Sequence, residues 1–307
     1  MLSMRIMNLL LELQCIHIII VFFINYNITN IIMCRWMCYY GNPIELYTLL
    51  YTPPNSLLKQ CYQTPHTPGI DNNPRDNPIN VDGVGIGLYQ SKKIPFIYTS
   101  TNTPWTDINL ERITKYMKSR LFFAHIRGIK PFNGNSFVHE LNCHPFTYKN
   151  YIMQHNGFIS NHKQIKVDLH NMLNKNALSV IKGNVDSEDI FALFINQIKS
   201  NELDSYISIE QIYTYLIQTI KIIINLNNNK TSSFNIALSD GKCIICTRYI
   251  NCDHEEPPSL YIKNTNNNII IASEPFDYND DWILIPKNNA ILIDKYKNYS
   301  LKKIIIS

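Results

Sequence analysis

Apolar residues fall with two periods along this chain, and the period changes four times. MCRWMCYYG (33–41) reads as a first strand, followed by a Pro-rich loop, TPPNSLLKQCYQTPHTPGIDNNPRDNPIN. VDGVGIGLY (81–89) and PFIYTS (95–100) read as two strands of a hairpin or meander. DINLERITKYMK (107–118) suits a helix opened by Asp107 as N-cap. SRLFFAHIRG (119–128) and YKNYIMQHNG (148–157) return to strand, each ending in a glycine turn. In SEDIFALFINQIKS, Ile190, Phe191, Phe194, Ile195 and Ile198 make one helical face, and SIEQIYTYLIQTIKIII (208–224) is a longer, more apolar helix. From residue 232 the pattern is almost all strand: SSFNIALS, KCIICTRYI, SLYIK, NIIIASEP, WILIP, AILID and KKIIIS. Two β-rich regions flanking a helical middle predict an α+β sandwich of stacked, mainly antiparallel sheets. No linker divides it, so residues 34–307 are expected to form one domain.

The first 33 residues stand apart. CIHIIIVFFI (15–24) is apolar, but Asn8, Glu12 and Gln14 interrupt it. The run falls short of the ~18–20 residues of a membrane-spanning helix. Arg5 gives a weak positive start for a signal peptide, and there is no A-x-A-like cleavage site. The expectation is an apolar extension, 1–33, absent from the mature protein, with translation from Met33 as the first explanation. A removed propeptide and a membrane tether through 15–24 are the alternatives.

Composition narrows the function. The chain has 307 residues, 45% of them hydrophobic, so it can bury a substantial core. A net charge of +4 without any Lys/Arg run leaves no footprint for nucleic acid. Eight irregularly spaced cysteines in such a chain imply free thiols and a reducing, cytoplasmic setting. Cys243 and Cys246, followed by Cys252 and His254, have a spacing that zinc sites use. Yet KCIICTRYI reads as a strand, where residues three apart face opposite ways, so no metal and no cofactor are expected.

Four features carry candidate chemistry. Cys34 is a nucleophile if a base is near, and an N-terminal residue brings its own in the α-amine; otherwise it is one more buried cysteine. Asn156-Gly157 offers a side-chain amide and a backbone N–H to an oxyanion, or else a hairpin turn. Arg127 is suited to a substrate carboxylate, or is a surface residue at a strand end. Asp186 is suited to the matching ammonium group, or caps the helix that follows. Together they fit hydrolysis of a γ-glutamyl amide.

MCRWMCYYG (33–41), NVDGVGIGLY (80–89), AHIRG (124–128), NCHPF (142–146), MQHNGFI (153–159) and GNVDSEDIFALF (183–194) resemble the class II glutamine amidotransferases, which are N-terminal-nucleophile hydrolases. The likeness continues through NIALSDGKCIICTRY, SLYI, IASEP and WILIP, covering essentially all of 34–307. It is nearest to the stand-alone branch, which includes an amidotransferase-like subunit of a fungal glutathione-degrading complex and a γ-glutamyl hydrolase of ergothioneine biosynthesis. The resemblance implies a four-layer αββα sandwich and a γ-glutamyl thioester on Cys34. It assigns Arg127 to the substrate carboxylate, Asp186 to its amine, and Asn156 and Gly157 to the oxyanion hole. His125 is implied as a supporting residue. Lys130 stands near where the family places a Ser or Thr against that carboxylate; it either adds a charged donor or blocks the pocket. The implied partners are glutamine or a γ-glutamyl small molecule or peptide, with an acceptor or peptidase subunit in trans. A catalytically silent binding subunit is the alternative.

Overall fold

The computed structural model describes residues 34–62, 82–128, 138–200, 202–203, 205, 207–265 and 267–306. The apolar extension, part of the Pro-rich loop and Lys130 lie outside the described residues. All described residues fall in one compact unit, Met33–Ser307. In chain order, strand β1 (Arg35–Glu45) and the short helix α1 (Tyr47–Leu50) lead to β2 (Val84–Tyr89), β3 (Phe96–Ser100) and helix α2 (Ile108–Tyr116). Next come β4 (Lys118–Ile126), β5 (Phe146–Tyr148) and β6 (Tyr151–Ile159), then α3 (His162–Asn171), α4 (Lys175–Leu178), α5 (Asp186–Gln197) and α6 (Ile209–Leu226). The remainder is strand: β7 (Ser232–Ser239), β8 (Ile244–Ile250), β9 (Tyr261–Thr265), β10 (Asn268–Ala272), β11 (Trp282–Leu284), β12 (Asn289–Ile293) and β13 (Tyr299–Lys303).

The strands form two antiparallel sheets, one ordered β11-β9-β10-β1-β4-β2-β3 and the other β13-β12-β8-β7-β6-β5. Alternation along each strand sends one set of side chains between the sheets and the other toward helices. Trp36, Cys38 and Tyr40 of β1 join Leu121 and Phe123 of β4, Ala237 of β7 and Cys246 of β8 in the inter-sheet core. Met37 and Tyr39 point the other way, to Leu46 and Leu50 around α1 and Leu110 of α2. Under the second sheet, α3, α5 and α6 pack on Met153, Phe234, Ile236 and Ile245. Helix, sheet, sheet, helix: the expected four-layer αββα sandwich is what the chain forms.

Individual elements follow local chemistry. Asp107 caps α2 by accepting from Leu110 N at 3.0 Å, and Ser208 caps α6 through Gln211 N at 3.3 Å. Cys243 sits in the core beneath the helices while Cys246 faces the other sheet, its sulfur 3.7 Å from that of Cys38. Two strand readings are corrected. Residues 148–157 are not one strand ending at Gly157: a turn at Lys149 (φ 53°) separates β5 from β6, and β6 runs on to Ile159. Pairing of Asn156 with Asn235 and of Gly157 with Phe234 keeps that dipeptide extended. KKIIIS is displaced as well, since β13 ends at Lys303. Among the described residues, no helix is long and apolar enough to cross a membrane.

Candidate active site

Strand register builds one wall of the site. Arg35 pairs with Ile126, so Cys34 lies across from Arg127 at the same end of the first sheet. Arg127 N donates to Gly83 O at 2.8 Å, extending that row to the chain just before β2. The Cys34 thiol is half-buried and points to the Gly128 carbonyl at 3.8 Å.

The second sheet supplies the opposite wall. Gln154 Nε2 donates to Met37 O at 2.8 Å, and His125 Nε2 lies 3.2 Å from His155 O. His125 pairs with Trp36, so these contacts step from the Met37 row to the Trp36 row. Asn156 and Gly157 therefore continue toward the row of Cys34 and Arg127. Gly157 is required where it stands, because a Cβ there would collide with the Ser233 backbone oxygen.

Asp186 arrives from the helical layer. It is the first residue of α5 but does not cap it, since the capping position is Val185 and has no side-chain bond. Instead its Oδ2 accepts from Ile159 N at 2.9 Å, tying the helix start to the end of β6. Ser187 Oγ lies 2.9 Å from His155 Nδ1 and donates to Asp186 Oδ1 at 3.3 Å, adding a second tie.

Electrostatics link these pieces to the sulfur. Burial pushes the Cys34 thiol pKa up; the guanidinium groups of Arg127 and Arg35 oppose this, and Asp186 adds to the rise. Arg127 and Asn156 are only 5% and 3% exposed, yet Arg127 Nη1 and Asn156 Nδ2 have no hydrogen-bond partner. Among the described residues no carboxylate pairs with Arg127. Leaving such buried donors unpaired costs about 1–3 kcal/mol each, so both are poised for a polar ligand. His125 is fully buried and stacked on His144 at 4.1 Å; burial drives its pKa down to about 3, so the ring stays neutral.

The site thus assembles Cys34, Arg127, Asn156, Gly157 and Asp186, with His125 beneath them. It also contains groups to which the sequence reading gave no role. Burial lowers the pKa of His144 well below the usual histidine range. Arg35 contacts both the Cys34 carbonyl and buried Glu274. His144 lies in NCHPF and Glu274 in IASEP, but the His125–His144 and Arg35–Glu274 contacts join residues far apart in sequence, which no local pattern encodes.

The αββα sandwich thus carries a half-buried thiol and two buried, unpaired donors toward one end of its strands. The sequence profile of the class-II glutamine amidotransferases matches residues 74–254, and the chain belongs to that family. It is 29% identical over 302 residues to the probable glutamine amidotransferase DUG3 of Saccharomyces cerevisiae, covering 86% of this chain and 82% of that one. It is 22% identical over 262 residues to the gamma-glutamyl-hercynylcysteine sulfoxide hydrolase of Mycolicibacterium smegmatis, covering 84% and 95%. In structure it is similar to a glutamine aminotransferase class-II domain protein from Silicibacter pomeroyi (TM-score 0.62, 21% identity, 89% of this chain and 100% of that one). The glutamine phosphoribosylpyrophosphate amidotransferase from B. subtilis shares the fold at TM-score 0.59 and 13% identity, over 89% of this chain and 50% of that one.

Proposed function

We propose that this chain is a cysteine amidohydrolase that cleaves the γ-amide of glutamine or of a γ-glutamyl compound, and that its active form begins at Cys34. The observation carrying this reading is the pair of buried, unpartnered donors: Arg127 Nη1, whose charge acts on the Cys34 thiol, and Asn156 Nδ2, on the strand that continues toward the row of Cys34. Arg127 binds the substrate α-carboxylate and Asp186 its α-ammonium group, which fixes the γ-carbonyl over the sulfur. The thiol proton passes to the α-amine of Cys34, and the thiolate adds to the γ-carbonyl carbon. Asn156 Nδ2 and the Gly157 N–H hold the resulting oxyanion. The C–N bond then breaks, the leaving amine takes the proton, and a γ-glutamyl thioester remains. Water adds to the thioester, the C–S bond breaks, and glutamate leaves with the thiol restored. His125, neutral and buried, supports the Asn156 strand and moves no proton. Lys130 is assigned no step.

The names of the two curated relatives, a probable glutamine amidotransferase and a γ-glutamyl compound hydrolase, support the same substrate class. The leaving group is then ammonia or the remainder of a γ-glutamyl compound, released to water or passed to an acceptor or peptidase subunit in trans. The test is incubation with glutamine and with γ-glutamyl peptides, using protein shown by N-terminal sequencing to start at Cys34. Glutamate release and a γ-glutamyl adduct on the Cys34 peptide are expected. Substrate binding with no turnover would reject the hydrolase and favour a silent binding subunit.

A further inference from the structure

Arg35 follows the candidate nucleophile in sequence but projects from the opposite face of β1, away from the sulfur. It is 2% exposed, and its Nη1 donates to the Cys34 carbonyl oxygen at 3.1 Å. Its Nε and Nη2 reach Glu274 Oε1 at 3.3 and 3.2 Å, and Glu274 is fully buried. The segment carrying Glu274 grips β1 a second time: Trp36 N donates to Ser273 Oγ and Ser273 N to Trp36 O, both at 2.9 Å. From behind, Asn55 Nδ2 donates to Pro275 O at 2.7 Å and Gln60 Nε2 to Glu274 O at 3.5 Å. The acidic partner is therefore itself immobilised.

Taking an ion pair out of water is costly, and a well-packed apolar pair often replaces one without loss of stability. A buried pair that also bonds the carbonyl of the nucleophile calls for a reason other than stability. We propose that Arg35, held by Glu274, is a positioning residue that fixes the Cys34 carbonyl and keeps a positive charge behind its sulfur. The proposal rests on Cys34 being the nucleophile of the hydrolysis above. With its carbonyl clamped, Cys34 loses rotation about its Cα–C bond, and its nitrogen and thiol keep one orientation toward Arg127 and Asn156. The charged groups that face the sulfur from other elements are Arg127, beyond the end of β4, and Asp186, at the start of α5. The nearby Cys143 thiol is pushed up to about 11 by burial and stays neutral.

The test is alkylation of Cys34 by iodoacetamide in the full chain, followed across pH by peptide mapping. Arg35→Met is expected to move the midpoint upward and to slow alkylation about tenfold at neutral pH. Because that variant takes the guanidinium away from buried Glu274, Arg35→Met combined with Glu274→Met is measured beside it. The double variant is expected to melt near the wild type and show the same upward shift. Glu274→Gln keeps the guanidinium, so its midpoint does not rise. An unmoved midpoint in the folded double variant, or a raised one in Glu274→Gln, overturns the proposal. So does faster alkylation at every pH, the signature of simple loosening. The readout needs no turnover, so failure of glutamine hydrolysis is a separate result.

Discussion

Asn156 and Gly157 illustrate how one dipeptide acquires meaning only from its surroundings. Asn-Gly is the strongest short signal for a hairpin turn, yet here both residues are extended and paired with β7. The Nδ2 of Asn156 is left buried without a hydrogen-bond partner. If it holds the oxyanion, Asn156→Ala lowers kcat by about 10²–10³ and leaves KM for glutamine within a few-fold, because the contact strengthens only as charge develops. An unchanged kcat in steady-state assays would remove Asn156 from the mechanism. Gly157→Ala acts differently, since its added Cβ meets the Ser233 backbone rather than a flexible side-chain end. The strand must shift, costing about 1–3 kcal/mol of stability by chemical denaturation together with most of the activity.

At the scale of elements, the site depends on how α5 is seated, and the seat is a buried carboxylate one turn past Asp186. Asp189 is fully buried, accepts from His162 at 2.5 Å and His170 at 2.7 Å, both on α3, and has Lys166 at 3.8 Å. Burial works to raise its pKa, but the bonds from His162 and His170 prevail and hold it below the usual carboxylate value. A carboxyl whose folded pKa is depressed adds stability that is complete above its unfolded value, about 3.9. That contribution is lost as pH falls through the lower folded value. Asp189→Ala is therefore expected to cost about 2 kcal/mol in urea denaturation at neutral pH. The gap to wild type closes as the pH drops below about 4, and a gap constant with pH would refute the assignment. Much of this architecture was legible in the chain, because β7, α5 and α6 carry strong periodicities. Gly157 was misread because turn chemistry is a local preference that sheet pairing overrides. The Arg35–Glu274 and His125–His144 contacts were not legible, since residues distant in sequence meet only after two sheets stack.

For the whole molecule, the topology places the start of the compact unit at the candidate site. β1 lies inside its sheet, between β10 and β4, and Cys34 stands at the end of that strand facing Arg127. Burial raises the pKa of the thiol, so it needs a base to become a nucleophile at neutral pH. His125, driven to about 3, remains neutral but is turned to His155, and His144 packs against its ring. Neither imidazole faces a role as that base, whereas the α-amine of a chain starting at Cys34, with a pKa of about 7.7–8.0, is attached to the proposed nucleophile itself. A peptide bond from Met33 turns that amine into an amide with no basicity. Protein beginning at Cys34 is accordingly expected to hydrolyse its γ-glutamyl substrate at least about 10² times faster than protein retaining Met33, the usual contribution of a positioned base. The sign of the pH dependence follows: the unprotonated amine is the active form, so kcat/KM rises through about pH 7.7–8.0 and levels above it. Parallel assays of the two preparations from pH 6 to 9 check both points. Equal rates from the two, or a profile that falls with rising pH across that range, would assign the base to another group.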